Sequence, residues 1–174
     1  MIFGETDVAG AFLVDIEAAT DERGFFAKTF TRDAFEERGL DATILECSIA
    51  FNAAQFTLRG LHYQAPPFEE VKLVRCTSGS VYDVVVDLRD DSPTYRRWTG
   101  VELTAHNRRA LYVPKGCAHG YLTLQDDTEL TYAISQRHAP EAARGIRWDD
   151  PAFAIAWPAE PRVISARDAS YPDV

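Results

Sequence analysis

Short runs of β-branched and aromatic residues fill the middle of the chain, and clusters of Gly, Pro, Asn, Asp and Ser separate them at short intervals. This pattern is typical of a β-sandwich or barrel, and not of alternating helices and strands. The sequence therefore predicts an all-β fold. The predicted strands cover Thr43–Phe51, Phe56–Gln64, Val71–Cys76, Ser80–Leu88, Arg97–Leu103, Ala110–Val113, Gly120–Leu124 and Glu129–Ser135.

One helix is predicted ahead of these strands, over Arg32–Arg38. Thr31 can cap its N-terminus, and Gly39 suits the position just after its last turn. Phe35 is expected to face the core from this helix. A short turn of helix is also predicted after Pro140.

The length and composition of the chain limit how many domains it can form. With 174 residues and 46% hydrophobic content, it can bury one core but not two. No internal repeat, low-complexity tract or linker divides it. We therefore expect a single domain over residues 1–174.

The formal net charge of −9 argues against a nucleic-acid partner, because no cluster of Lys and Arg supplies a basic face. No apolar run is long enough to cross a membrane, and the start, Met1–Asp7, is acidic, unlike a secretory signal. Cys47, Cys76 and Cys117 form no C-x-x-C pair and leave one thiol unmatched in any disulfide scheme. These features predict reduced thiols that fill the core, and a cytoplasmic protein. Cys117 lies near His119, but nothing else supports a nucleophilic thiol.

The segment Leu58–Gln64 places an arginine and a histidine three residues apart in a predicted strand. Successive side chains of a strand face opposite sides, so Arg59 and His62 share a face only if Gly60 introduces a bulge or bend. An arginine that can bind an anion and a histidine that can accept and release a proton would then lie side by side. From this segment alone, a hydrogen-bonded core histidine and a surface arginine are an equally good interpretation.

Five further motifs follow along the chain, at Lys72–Arg75, Ser80–Arg89, Ser92–Tyr95, Val113–Gly120 and Trp148–Pro151. Together with Asp21–Phe26 and Arg59–Gln64, and in this order, they resemble the dTDP-4-dehydrorhamnose 3,5-epimerase family over residues 21–168. This resemblance implies a cupin jelly roll with a few short helices and with a pocket between two packed sheets.

Inverting a carbon next to a ketone requires one group to remove a proton and another to return a proton from the opposite face. The ordinary pKa of histidine suits His62 for the base. The resemblance implies that Asp168 orients this imidazole, which requires the C-terminal tail to fold back across the pocket. It also implies that Tyr132 is the acid and that Lys72 stabilises the negative charge on the C4 oxygen.

The resemblance also implies residues that bind the substrate. Arg59 would hold the diphosphate, since arginine grips phosphate bidentately, and His119 would hold the sugar or support the enolate. Arg23 would reach into the site of a neighbouring subunit, with Phe26 adding aromatic surface for the nucleobase. The family therefore implies a homodimer acting on a nucleotide sugar, without a cofactor.

Three positions depart from the family pattern. Lys28 stands where many relatives have a glutamate, and a lysine can only donate hydrogen bonds, which suits an acceptor-rich base such as cytosine. The segment Glu46–Asn52 lacks the usual Gln-Asp-Asn pattern, and His138 replaces a common tyrosine. The same chemistry on a related NDP-4-keto-6-deoxyhexose is therefore our hypothesis.

Other functions compete with this interpretation. A metal-dependent cupin needs several converging histidines, but no His-x-His pair is present, and Tyr63 and Gln64 follow His62 where a second ligand is expected. We expect no stoichiometric metal. A single-site 3- or 5-epimerase, or a ketoisomerase, would use the same acid and base, so the sequence does not separate them. A non-catalytic sugar-nucleotide binder would not need His62 or Asp168.

Overall fold

The computed structural model describes residues 1–174 and contains two six-stranded β-sheets, one separate hairpin and two short helices. Neither helix is long and apolar enough to cross a membrane. The helices are α1 (Arg32–Glu36) and α2 (Ala166–Ala169). The strands are β1 (Ile2–Glu5), β2 (Phe12–Asp15), β3 (Ala19–Asp21), β4 (Gly24–Phe26), β5 (Glu46–Asn52), β6 (Thr57–Gln64), β7 (Lys72–Ser78), β8 (Ser80–Asp87), β9 (Trp98–Thr104), β10 (Ala110–Val113), β11 (Cys117–Thr123), β12 (Thr128–Ile134), β13 (Ala143–Gly145) and β14 (Val163–Ile164).

The chain passes back and forth between the two sheets. The first sheet has the order β1-β2-β10-β7-β12-β5, and the second has the order β13-β6-β11-β8-β9, with β14 beside β6. All pairs are antiparallel except β14 with β6. From β5 to β8 each new strand joins the opposite sheet, as in a jelly roll. The all-β class predicted from the sequence is confirmed.

Three clusters of buried side chains hold the layers together. The central cluster lies between the sheets and includes Val74 and Leu130 from the first sheet and Val85 and Tyr121 from the second. A second cluster, around Phe35 of α1, covers the outer face of the first sheet. The third lies on the outer face of the second sheet under the C-terminal loops. The two sheets are therefore packed on each other through the central cluster and covered on both outer faces.

The predicted elements are largely confirmed, with corrections at their ends. Helix α1 stops at Glu36, two residues before the predicted end, and the side chain of Thr31 makes no capping hydrogen bond. The residues after Pro140 form a turn that leads into β13, and not a helix. The sequence prediction also missed β1 to β4, β13, β14 and α2 because these elements are short and are held by tertiary contacts.

A bulge at Gly60 puts two polar side chains of β6 on one face. His62 pairs with His119 and Arg59 pairs with Tyr121, so three steps along β6 match two steps along β11. The extra residue places Arg59 and His62 on the same face of β6, which regular alternation would not allow. Gly60 has a φ of +134°, and its backbone lies so close to β11 that a Cβ atom would be 2.5 Å from the Cα atom of Gly120. The bulge predicted from the glycine is therefore present.

Replacing Gly60 with alanine is expected to lower the free energy of unfolding by about 2–4 kcal/mol, because the added carbon meets backbone and the left-handed φ is strained. The free energy of unfolding is measured by unfolding in urea, with circular dichroism as the signal. Gly4→Ala is the matched control, since its Cβ would only reach Leu13 Cβ at 3.8 Å, and it should change the value by less than about 0.5 kcal/mol. Equal effects of the two substitutions would contradict the close approach at Gly60.

Candidate active site

A cavity of about 300 Å³ opens between the two sheets beside the central core. We call it the main cavity. Its walls come from β5, β7 and β12 of the first sheet and from β6 and β11 of the second, so groups on opposite walls face each other across it. It is lined by Ser48, Ile49, Ala50, Arg59, His62, Lys72, His119, Tyr121, Tyr132 and Ile134.

His62 and Asp168 form a hydrogen-bonded pair at the second-sheet wall. The Nε2 atom of His62 lies 2.7 Å from Oδ1 of Asp168, while Oδ2 accepts from the backbone N–H of Gly60 at 3.2 Å. An ionised carboxylate only accepts hydrogen bonds, so Nε2 carries the proton and Nδ1 keeps a free lone pair. The pair therefore presents the imidazole in one defined tautomer.

The C-terminal tail positions Asp168. Strand β14 lies along the start of β6, and the hydroxyl of Ser165 accepts from the backbone N–H of Asp168 to begin α2. These contacts hold the Asp168 side chain with only 4% of the residue exposed. The tail thus folds back onto the pocket in the way that the pairing requires.

The surroundings of His62 make its imidazole neutral near pH 7. Burial lowers the pKa of His62 below its ordinary value of 6.5. The hydrogen bond and negative charge of Asp168 offset part of this effect, and the positive charges of Lys72 and Arg167 lower the pKa further. A neutral imidazole can accept a proton, so this arrangement suits a general base.

Tyr132 lies on the opposite wall, on β12 of the first sheet. Burial raises the pKa of Tyr132 well above its ordinary value of 10, and the phenol of Tyr121 and the carboxylate of Asp83 raise it further. The phenol is therefore protonated at neutral pH and can donate. A base and a proton donor thus face the same space from opposite sheets.

Lys72 begins β7 and lines the main cavity next to His62. Its ammonium lies 3.0 Å from Oε1 of Glu70 and donates to the backbone oxygen of His62 at 3.3 Å. The side chain is only 13% exposed. This lysine is therefore a fixed, buried cation at the cavity and not a charge on the protein surface.

A second histidine–carboxylate pair lies deeper in the second sheet. Nε2 of His119 is 2.7 Å from Oδ1 of Asp83, whose residue is fully buried. The ring of His119 meets the edge of Tyr132 with centroids 6.1 Å apart. His119 thus supports the floor of the main cavity in a fixed orientation.

The remaining predicted residues divide between the cavity and the surface. Arg59 lines the main cavity and donates from Nε to Oδ1 of Asn52 at 2.8 Å. His138 lines a neighbouring side cavity of about 190 Å³, which shares His62 and Lys72 with the main cavity. The two cavities therefore adjoin each other at His62, Lys72 and Ile134.

The hairpin β3–β4 does not contribute to this site within one chain. Arg23 is 84% exposed in its side chain and pairs with Asp21, and Phe26 is 75% exposed. Lys28 follows the hairpin and is also exposed. None of the three lines the main cavity or the side cavity.

Asp83, Arg167 and Tyr171 lie near the site but were missed by the sequence interpretation. Asp83 shares its inward direction with Val81 and Val85, and a carboxylate among valines of a core strand was a usable signal. Arg167 lines the side cavity next to Asp168, and Tyr171 packs edge-on against His62 with ring centroids 6.1 Å apart. These two lie in the tail, and no local pattern predicts where a tail docks.

The prediction that all three cysteines fill the core is wrong for one of them. Cys76 and Cys117 are buried as expected, but Cys47 is exposed and does not fill the core. All three are free thiols. Burial raises the pKa of Cys117 to about 12, which leaves almost no thiolate at neutral pH and argues against a nucleophile.

No group of three or more His, Cys, Asp or Glu side chains is arranged to hold a metal ion. His62 and His119 each have a carboxylate as their hydrogen-bond partner. That the protein binds no stoichiometric metal stays a prediction.

Comparison with known proteins places this geometry in a family. A family model described as dTDP-4-dehydrorhamnose 3,5-epimerase matches residues 5–174. The chain is 39% identical over 175 residues to the dTDP-4-dehydrorhamnose 3,5-epimerase of Sinorhizobium fredii, a match that covers 100% of this chain and 90% of that protein.

Two solved structures show the same architecture. The Bacillus anthracis dTDP-4-dehydrorhamnose 3,5-epimerase, crystallised with TDP and PPi, superposes with a TM-score of 0.94 at 35% identity and covers 99% of both chains. A 3'-monoepimerase from Streptomyces bikiniensis, in complex with dTDP-quinovose, gives 0.88 at 32% identity, with 97% of this chain and 85% of that chain covered. The fold is a cupin-type jelly roll, and the chain belongs to the dTDP-4-dehydrorhamnose 3,5-epimerase family of isomerases.

Proposed function

We propose that this chain epimerises a 4-keto-6-deoxyhexose carried on a nucleoside diphosphate, at C3, at C5 or at both. The observation that carries the proposal is the His62–Asp168 pair on one wall of the main cavity, with Tyr132 on the other. A carbon next to a ketone can lose a proton because the negative charge that forms is delocalised onto the ketone oxygen, where the site can stabilise it. Nδ1 of His62 takes the proton, and the imidazolium that forms is stabilised by Asp168.

Proton return requires a donor on the other side of the sugar ring. Tyr132 is protonated, partly buried and on the wall opposite His62. It gives its proton to the face that His62 does not reach, so the carbon inverts. The phenolate that forms then takes a proton from solvent and the imidazolium of His62 releases one to solvent, which returns both groups to their starting states.

The intermediate between the two steps is an enolate with negative charge on the C4 oxygen. Lys72 supplies a fixed ammonium from the first-sheet wall of the same cavity. His119, held by Asp83, lies on the second-sheet wall. A preorganised cation in a water-poor cavity stabilises such charge more than the same cation does in water. Arg59 binds the diphosphate at the cavity wall.

We also propose that the protein is a homodimer and that Arg23 and Phe26 complete the site of the partner. Large apolar side chains lie exposed on the hairpin and on the edge strand β5, among them Phe25, Ile49 and Phe51, and such surface favours association. Mixing Arg23→Ala and His62→Ala chains tests the shared site. Restored activity at about a quarter of the sites is expected from random pairing, and no restoration would contradict shared sites.

The nucleobase is proposed to be one whose edge accepts hydrogen bonds from Lys28. We expect calorimetric titration to show that CDP binds at least as tightly as dTDP, because an ammonium donates and does not accept. The variant Lys28→Glu is the matched control and should shift the preference towards dTDP. A clear preference of the unmodified protein for dTDP would defeat this part of the proposal.

Incubation of a 4-keto-6-deoxy sugar nucleotide with the protein in deuterated water, followed by NMR, tests the reaction itself. Label at both C3 and C5 is expected for the double epimerase. Label at one carbon supports a single-site enzyme, the activity named for the Streptomyces bikiniensis relative. No label with any nucleotide tested would contradict proton abstraction altogether.

A further inference from the structure

Glu70 is a buried carboxylate that the reaction described above does not use. It lies just before β7 and lines the side cavity together with His62 and Lys72. Its side chain is only 7% exposed, and Oε1 is 3.0 Å from the ammonium of Lys72. The other oxygen, Oε2, is buried and has no hydrogen-bond partner.

The hydrogen-bonding capacity of the Lys72–Glu70 pair is only partly used. An ammonium has three donors, and Lys72 donates one of them to the backbone oxygen of His62 while it forms an ion pair with Oε1 of Glu70. One donor of Lys72 is left, and Oε2 of Glu70 is an acceptor without a donor. A buried carboxylate oxygen without a donor is costly, so a site with this feature favours a ligand that supplies one.

No donor of the protein forms a hydrogen bond with Oε2 of Glu70. Gln136, His138 and Arg144 line the same side cavity, yet none of them bonds Oε2. Arg144 instead donates to the backbone oxygens of Glu141 and Ala143. The pair therefore offers a ligand one donor and one acceptor side by side.

An α-hydroxyketone carries the complementary groups, an accepting carbonyl oxygen and a donating hydroxyl on adjacent carbons. In a 4-keto-6-deoxyhexose the C4 ketone has this neighbour on one side only. C3 bears a hydroxyl, whereas C5 bears a methyl group and the ring oxygen, and neither of these donates. A donor–acceptor pair at the ketone therefore distinguishes the C3 side of the ring from the C5 side.

We propose, resting on the proposed function, that Oε2 of Glu70 accepts a hydrogen bond from the C3 hydroxyl while Lys72 donates to the C4 oxygen. Glu70 is then a substrate-binding residue that selects sugars with a free C3 hydroxyl. It also fixes Lys72, because the same carboxylate holds the ammonium through Oε1. The pair orients the ring so that C3 and C5 cannot exchange places in the cavity.

The test compares the 4-keto-6-deoxy sugar nucleotide with its 3-deoxy analogue, using deuterium exchange at C5 as the readout for both. For the unmodified protein, kcat/KM is expected to be about 10- to 100-fold higher with the 3-hydroxy sugar, as for a hydrogen bond to a charged group. In Glu70→Ala this ratio should fall to about one, since the acceptor is gone. Glu69→Ala, a neighbour that lines neither cavity, should keep the ratio of the unmodified protein.

A merely structural role of Glu70 would slow exchange of both sugars equally and leave the ratio unchanged, and that result would overturn the inference. If Glu70→Ala does not fold, Glu70→Gln keeps the shape and weakens the acceptor, so the ratio should still fall severalfold. An unmodified protein that does not distinguish the two sugars also overturns the inference. Absence of C5 exchange with either sugar would instead contradict the proposed function.

Discussion

Replacing His62 with alanine is expected to lower the rate of deuterium exchange at C3 and C5 by about 10³- to 10⁴-fold, near the upper range for loss of a general base. The reason is geometric. His62 presents a neutral imidazole whose Nε2 is occupied by Asp168 and whose Nδ1 is free. We expect His119 not to replace it, because His119 is only 4% exposed and lies deeper in the second sheet than His62. The exchange rate is measured by NMR in deuterated water.

The fold should survive this substitution, since the His62 side chain is 39% exposed and lies at a cavity. Circular dichroism and thermal unfolding check this. His62→Gln serves as a second variant because its amide can still donate to Asp168, and it should be as inactive as the alanine variant. His106→Ala, at an exposed histidine away from the cavities, should exchange normally. Exchange in His62→Ala at more than about a tenth of the normal rate would remove His62 from the role of base.

The variant Tyr132→Phe is expected to lower the rate of inversion much more than the rate of deuterium exchange. Inversion should fall by about 10²- to 10³-fold, because phenylalanine cannot return a proton from the first-sheet wall. Exchange should fall by less than about tenfold, because His62 still removes the proton and returns a deuteron to the same face. NMR detects this as label entering the substrate with its configuration retained.

Tyr95→Phe, at an exposed tyrosine remote from the site, is the matched control and should leave both rates unchanged. The raised pKa of Tyr132 means that loss of its hydroxyl removes a neutral donor and not a charge. The Kd for the nucleotide should therefore stay within about threefold of its value in the unmodified protein. If Tyr132→Phe lost exchange and inversion equally, Tyr132 would not be the acid.

Local sequence patterns predicted most of the strands that form this site, but the roles of Lys72, Tyr132 and His119 came from the resemblance to the family. The glycine inside Leu58–Gln64 allows a bulge, and the bulge that forms brings Arg59 and His62 to one face. Runs of β-branched and aromatic residues predicted the strands that carry Lys72 and Tyr132. His119 lies in β11 ahead of Gly120, where the predicted strand begins. For the predicted strands a backbone preference acts over a few residues, so the sequence nearby contains the information.

Contacts between distant segments were not predictable in this way. Asp168 reaches His62 only because β14 lies along β6, and from composition alone a tail carboxylate is more often solvated. The resemblance to the family indicated that pair. No local pattern in the sequence did so. Asp83 was missed because its partner, His119, is distant in the sequence and becomes a neighbour only in the folded sheet. Glu70 is only two residues from Lys72, but the sequence does not indicate that its carboxylate is buried.

The pH dependence of exchange gives the most direct test that His62, paired with Asp168, is the base. Only the neutral imidazole can accept a proton, so kcat/KM must fall as the pH drops through the pKa of His62. Burial places that pKa below 6.5, and the pairing with Asp168 prevents it from falling further. In Asp168→Asn the midpoint should therefore move to a still lower pH, together with a loss of rate.

The measurement is an NMR titration of the His62 imidazole in the free protein, compared with the pH profile of kcat/KM for deuterium exchange. We predict that both give the same midpoint, below 6.5, and that both shift downwards together in Asp168→Asn. A rate that stays constant across the titration of His62, or a midpoint that does not follow the Asp168 substitution, would contradict the account.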